Sequence, residues 1–167
     1  MTRAGIGWDS HALAAGRRFL LGGVEIPAEK GEAGHSDGDV LCHAVADAIL
    51  GAAALGDIGG LFPPGDPAFL GADSLKLLEI AYQKVRGSFW RVVNLDCVVI
   101  CERPRVLPYR ERIRASLAKA LSLPVESVFV KGKTGEGLGG GLGAGEAAAA
   151  AAVALLERDE GQGRDGA

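Results

Sequence analysis

Two adjacent prolines at positions 63 and 64, followed by Gly65, Asp66 and a third proline at 67, make the stretch from Leu61 to Pro67 a loop. Proline offers no backbone donor and fixes its own φ, and Gly and Asp favour turns, so neither a helix nor a central strand crosses this stretch. The chain is thereby cut into two sets of elements. On the N-terminal side, Arg3 to Leu13 and Phe19 to Ile26 read as strands, the second broken at Gly22-Gly23. Ser36, with Asp39 three residues on, begins a capping signature. The helix it opens has Leu41, Val45, Ala48, Ile49 and Ala52 on one face and ends near Gly56.

Beyond the loop the spacing predicts a helix from about Asp73 to Arg86 and a strand over Val92 to Ile100. A proline-opened helix over Pro108 to Ser122 and a strand over Val125 to Lys131 follow. Gly135 to Gly145 is a glycine-rich loop, and Ala147 to Leu156 is helical by intrinsic propensity. The polar segment from Glu157 to Ala167 reads as a disordered tail. A chain of 167 residues, 48% of them apolar, fills one core rather than two, so it reads as a single domain in which helices and strands alternate. Only 5% of residues are aromatic while 26 are glycine, so the core must be closely packed from small side chains and completed by partner copies of the chain.

The 18 basic and 21 acidic residues form no cationic stripe, which argues against nucleic acid as a partner. The longest apolar run, Ala147 to Leu156, is too short to span a bilayer, and the N-terminus lacks a signal-like apolar core, so the expected location is the cytoplasm. Cys42, Cys97 and Cys101 lack the spacing of a metal knuckle or redox pair and read as reduced, buried thiols.

All three histidines fall within the first 43 residues. Asp9 and His11 are two apart on a strand and so share a face, while His43 lies on the following helix with Asp39 and Asp47 four residues to either side. Two imidazoles and a carboxylate make a three-ligand zinc set with the fourth position open, and Asp47 is placed to fix the imidazole of His43. Spacing alone leaves open that the two histidines are unconnected.

The run His35-Ser36-Asp37-Gly38-Asp39-Val40-Leu41-Cys42-His43-Ala44, after Gly7-Trp8-Asp9-Ser10-His11, resembles the signature of the 2-C-methyl-D-erythritol 2,4-cyclodiphosphate synthase family. Gly56 to Pro67 resembles the G-D-I-G-x-L-F-P-x-x-D-P loop of the family, and Gly71-Ala72-Asp73-Ser74 its next helix start. Two long matches in order are far more specific than one short motif.

The resemblance extends over residues 1–156 and implies a homotrimer about a three-fold axis, each subunit a single α+β domain with a four- to five-stranded sheet, helices on its outer face and the active sites between subunits. It implies attack by the 2-phosphate of a cytidine diphosphate derivative of methylerythritol on the β-phosphorus, closing a cyclic diphosphate and releasing CMP. Asp9, His11 and His43 would hold one zinc ion per subunit, and Glu136 a magnesium or manganese ion on the diphosphate. His35 and Thr134 would stabilise the transition state.

By the same resemblance Asp9, His11, His35, Ser36, Asp57, Ile58 and Gly59 contact the substrate, and the loop of Phe62, Pro63, Pro64, Gly65 and Asp66 flanks its phosphates. Pro104, Arg105 and Leu107 lie on the cytidine side with Lys133, Thr134, Gly135 and Glu136, although Lys131-Gly132-Lys133 stands where the family usually has threonines. The family also implies that Ala147 to Leu156 is a strand near the axis, against its propensity, and small side chains suit such close packing. A general metal-dependent phosphoesterase and a weakened trimer that only binds nucleotides are the alternatives.

Overall fold

The computed structural model describes residues 1–159. A long first strand, β1 (Thr2–Ala15), leads to a hairpin of β2 (Phe19–Leu21) and β3 (Val24–Ile26) turned at Gly22-Gly23, then to a short β4 (Lys30–Ala33). Helix α1 (Val40–Ala53) follows, then a single helical turn, α2 (Ile58–Leu61), and after the proline loop α3 (Ser74–Gly87). The remaining elements are β5 (Trp90–Ile100), α4 (Arg110–Ala120), β6 (Val128–Lys133) and β7 (Ala147–Arg158). Five strands form one sheet in the order β4-β1-β7-β5-β6, antiparallel except for the β5–β6 pair.

The alanine run is a strand. It sits between β1 and β5 and is hydrogen-bonded to both, with Ala147 opposite Ala12 on one side and Ala149 opposite Ile100 on the other. A fully paired central position, with Ala148, Ala150, Ala152, Ala154 and Leu156 buried, outweighs a helix preference of a few tenths of a kcal/mol per residue. Glu157 and Arg158 continue the strand, so its pairing runs past Leu156; residues 160–167 of the expected tail lie outside the described residues.

Other boundaries also move. Asp39, not Ser36, caps α1, its carboxylate accepting from the Leu41 and Cys42 amides. Leu107–Tyr109 is a 3-10 turn before α4, and Val125–Ser127 another before β6, so both elements start later than the sequence predicts.

Helix α1 lies directly on β1, and two glycines allow it. A Cβ on Gly7 would stand 1.9 Å from the Ala44 carbonyl oxygen, and one on Gly5 would stand 2.1 Å from that of Ala48. The core between helix and sheet is accordingly built from Ala44, Ala48, Val45, Ile49 and the β7 alanines. On the opposite face of the sheet Ile6, Val153, Asp96 and Phe129 fall in one row across the strands, with Trp8 beside Ile6, and the four apolar side chains are substantially exposed. Among the described residues no helix is long and apolar enough to cross a membrane.

Candidate metal site and substrate clefts

The close seat of α1 on β1 brings its first turns to Asp9 and His11. Asp9 Oδ2 lies 2.9 Å from His43 Nδ1 and 3.2 Å from His11 Nε2. One ligand atom from each residue falls within 4.8 Å of the others, and the two imidazole rings meet edge to face. All three side chains are partly buried, and His11 and His43 line a cleft, so the set is open on one side. The histidines predicted from spacing are therefore brought together.

The tautomer of His11 follows from its partner. His11 Nδ1 lies 2.7 Å from the Gly38 carbonyl oxygen, which can only accept, so Nδ1 carries a proton and Nε2 is the nitrogen that faces Asp9. His43 points Nδ1 at Asp9 and Nε2 at two hydroxyls, Ser74 Oγ at 2.9 Å and Ser36 Oγ at 3.1 Å. Burial alone would raise the Asp9 carboxyl, but the hydrogen bond from His43, the charges of both histidines and the Ser10 amide outweigh it and hold Asp9 below the usual carboxylate range.

Asp47 is hydrogen-bonded elsewhere than to His43. Its Oδ1 accepts the Ile58 amide at 2.7 Å, tying the middle of α1 to α2, and burial together with the charge of Asp57 raises its carboxyl. The residue that sequence reasoning missed is Ser74, from the Gly71-Ala72-Asp73-Ser74 start of α3; its buried hydroxyl also donates to Asp37 Oδ1 at 2.5 Å. The match to a family motif marks that position, though not its role.

A cleft of about 340 Å³ opens beside the cluster, lined by His11, His35, Ser36, His43, Ile58, Gly59, Phe62 and Pro64 among others. His35 is exposed, with Nε2 3.2 Å from the Asp66 carbonyl oxygen. Asp57 caps α2, and the Pro63–Asp66 turn closes with the Asp66 amide on the Pro63 carbonyl; Gly65 takes the positive φ this requires.

The second set of expected residues lies elsewhere. Pro104 and Arg105 line a separate cleft of about 720 Å³ with Lys30, Glu102, Arg103 and Tyr109. Leu107 is exposed at the start of its 3-10 turn, and Lys133 ends β6. Between Lys133 and Gly135, Thr134 Oγ1 donates to Glu136 Oε1 at 2.7 Å. The two clefts share no lining residue. The three cysteines are free and buried, and burial pushes the Cys97 thiol up to about 12.

Fold and site together describe an α+β domain with an open two-histidine, one-aspartate donor set at a strand–helix junction. Residues 2–157 match the model of the YgbB family, and the chain belongs to that family.

A relative from Moorella thermoacetica, a 2-C-methyl-D-erythritol 2,4-cyclodiphosphate synthase, is 50% identical over 161 residues, covering 96% of this chain and 99% of its own. The synthase of that name from Treponema denticola is 48% identical, with coverage of 81% and 84%. A solved 2C-methyl-D-erythritol-2,4-cyclodiphosphate synthase in its CDP-bound form superimposes with a TM-score of 0.85 at 39% identity, over 93% of this chain and 100% of that one. The Plasmodium falciparum IspF–CDP complex gives 0.83 at 31% identity, over 95% and 97%.

Proposed function

We propose that the chain is a 2-C-methyl-D-erythritol 2,4-cyclodiphosphate synthase, converting 4-diphosphocytidyl-2-C-methyl-D-erythritol 2-phosphate to the cyclic diphosphate and CMP. The observation that carries this is the convergence of Asp9, His11 and His43 at an open cleft, in a chain with half its residues identical to a full-length synthase. The reaction forms a bond between a 2-phosphate oxygen and the β-phosphorus. It breaks the bond from that phosphorus to the oxygen bridging to CMP, which takes the electron pair. The nucleophile belongs to the substrate, so the protein's task is to align two anionic groups that repel each other.

Two imidazole nitrogens and a carboxylate oxygen, with an open side, suit zinc, and Asp9, His11 and His43 would hold it. Bound there, a zinc ion supplies positive charge and Lewis acidity to a phosphate oxygen. A magnesium or manganese ion would be held by diphosphate oxygens and Glu136. Ser36, Asp57, Ile58 and Gly59 bind the methylerythritol, and His35 donates to a phosphate oxygen from the rim of the cleft. Pro104, Arg105 and Leu107 receive the cytidine diphosphate, and Thr134 and Lys133 meet its developing charge.

The separation of the two clefts within one subunit supports a trimer in which each site takes its zinc side from one subunit and its cytidine side from the next. The sheet face that exposes Ile6, Trp8 and Val153, with the Asp96–Lys131 pair beside them, is the face such a trimer would cover. Free buried thiols suit a reducing compartment, and we place the enzyme in the cytoplasm.

Turnover of the diphosphocytidyl substrate, followed by phosphorus NMR, tests the reading. The expected products are CMP and a cyclic diphosphate. Inorganic phosphate would favour a general phosphoesterase, and binding without turnover a nucleotide-binding trimer.

A further inference from the structure

The hydroxyl of Ser74 has one proton and several claimants. Its Oγ lies 2.5 Å from Asp37 Oδ1, 2.9 Å from His43 Nε2 and 3.1 Å from Ser36 Oγ. A carboxylate only accepts, so the Ser74 proton goes to Asp37. Asp37 is itself fixed by two backbone donors, the Asp39 amide on Oδ1 at 3.2 Å and the Ser74 amide on Oδ2 at 3.1 Å. With its proton committed, the Ser74 oxygen can only accept, from His43 Nε2–H and from Ser36. Ser36 in turn accepts the Gly38 amide at 3.2 Å. This places a committed acceptor at Nε2, so a proton held there leaves Nδ1, the nitrogen that faces Asp9 Oδ2, as the one able to exchange its hydrogen bond to the carboxylate for a metal.

We propose that Asp37 and Ser74 are positioning residues for the metal site, a carboxylate–hydroxyl relay that sets the tautomer and ring orientation of His43. The relay joins the loop before α1 to the first residue of α3, so an element remote in sequence controls a ligand on α1. It does for His43 what the Gly38 carbonyl does for His11. An indirect partner of this kind typically changes metal affinity by about 10–100-fold. Asparagine at position 37 cannot reproduce the carboxylate, because its NH2 group must face either the Ser74 amide or the Ser74 hydroxyl. The second arrangement turns the hydroxyl into a donor towards Nε2 and drives the proton of His43 onto Nδ1.

The proposal rests on reading Asp9, His11 and His43 as zinc ligands, and the experiment separates the two. Zinc affinity of the purified full chain is measured by competition with a chromophoric chelator for the parent and for Ser74→Ala, Ser74→Thr, Asp37→Asn and His43→Ala, with folding checked by circular dichroism. The zinc-loaded proteins are also compared by nitrogen-15 NMR for the His43 Nε2 proton. Ser74→Ala and Asp37→Asn should weaken zinc binding by about 10–100-fold, Ser74→Thr should restore it to within a few-fold, and the Nε2 proton should exchange slowly in the parent and rapidly in Ser74→Ala. Parent-like affinity in Ser74→Ala and Asp37→Asn, equal loss in Ser74→Thr, or a Nε2 proton still protected in Ser74→Ala overturns the relay. Undiminished zinc in folded His43→Ala overturns the metal reading itself.

Discussion

Glu32 is fully buried in β4, and no well-formed hydrogen bond reaches its carboxyl oxygens; the Val40 and Leu20 amides offset its burial only in part. Burial, reinforced by the charge of Asp39, pushes it up to about 10, so the folded protein holds it as a neutral acid. The sign follows from linkage. An unfolded glutamate ionises near its ordinary value of about 4.3, so this residue's contribution to stability is fully present below that pH and is lost progressively as pH rises towards 10. Glu32→Gln keeps the shape and removes the proton. Thermal melts from pH 5 to pH 9 should show the parent losing stability relative to the variant, by on the order of 1–3 kcal/mol at pH 7. Parallel curves would mean that Glu32 is solvated after all. No periodicity in the sequence marks this residue, since one acid in Lys30-Gly31-Glu32-Ala33 reads as surface. The histidines and Asp9 were legible because their spacing and a motif coincide. The partner of His43 was not, because Ser74 arrives from another helix and only packing shows it.

At the scale of elements the junction of α1 and β1 makes the site, and two glycines of the same composition play opposite parts in it. Gly7 faces the backbone of α1 so closely that an added Cβ meets the Ala44 carbonyl at 1.9 Å, whereas Gly51, inside α1, has nothing within 4 Å of the same atom. Gly7→Ala should cost about 3 kcal/mol or more, and with it zinc affinity, because the helix must lift from the strand that carries Asp9 and His11. Gly51→Ala should instead stabilise the fold by about 0.5–1 kcal/mol, since alanine loses less entropy in a helix. Denaturant unfolding of the two variants checks both signs. Most elements could be read from patterns of apolar residues and from the prolines, but the alanine strand could not be read from local preference. Its conformation is set by β1 and β5 on either side, and a resemblance to a family supplied what propensity did not.

At the scale of the molecule, one subunit holds the two halves of the proposed site in clefts that share no residue, while Ile6, Val153 and Phe129 face outward in a row that also carries Asp96. The proposed ring of three copies would account for both observations, each interface joining the zinc side of one subunit to the cytidine side of its neighbour. Such an interface is heterologous and closes after three steps. Complementation tests the arrangement quantitatively. His43→Ala removes the proposed zinc side of every site and Thr134→Ala the proposed cytidine side, so each variant alone should be nearly inactive. After the two are unfolded, mixed in equal amounts and refolded together, a site is intact only where a Thr134→Ala subunit supplies the zinc side and a His43→Ala subunit the cytidine side. Random assembly meets both conditions at about one half times one half, so recovered activity should approach about a quarter of the parent. If each subunit instead formed its own complete site, every site in the mixture would carry one of the two defects and nothing would be recovered. Native mass spectrometry showing mixed trimers without recovered activity would therefore refute the shared site, and activity near a quarter would establish it.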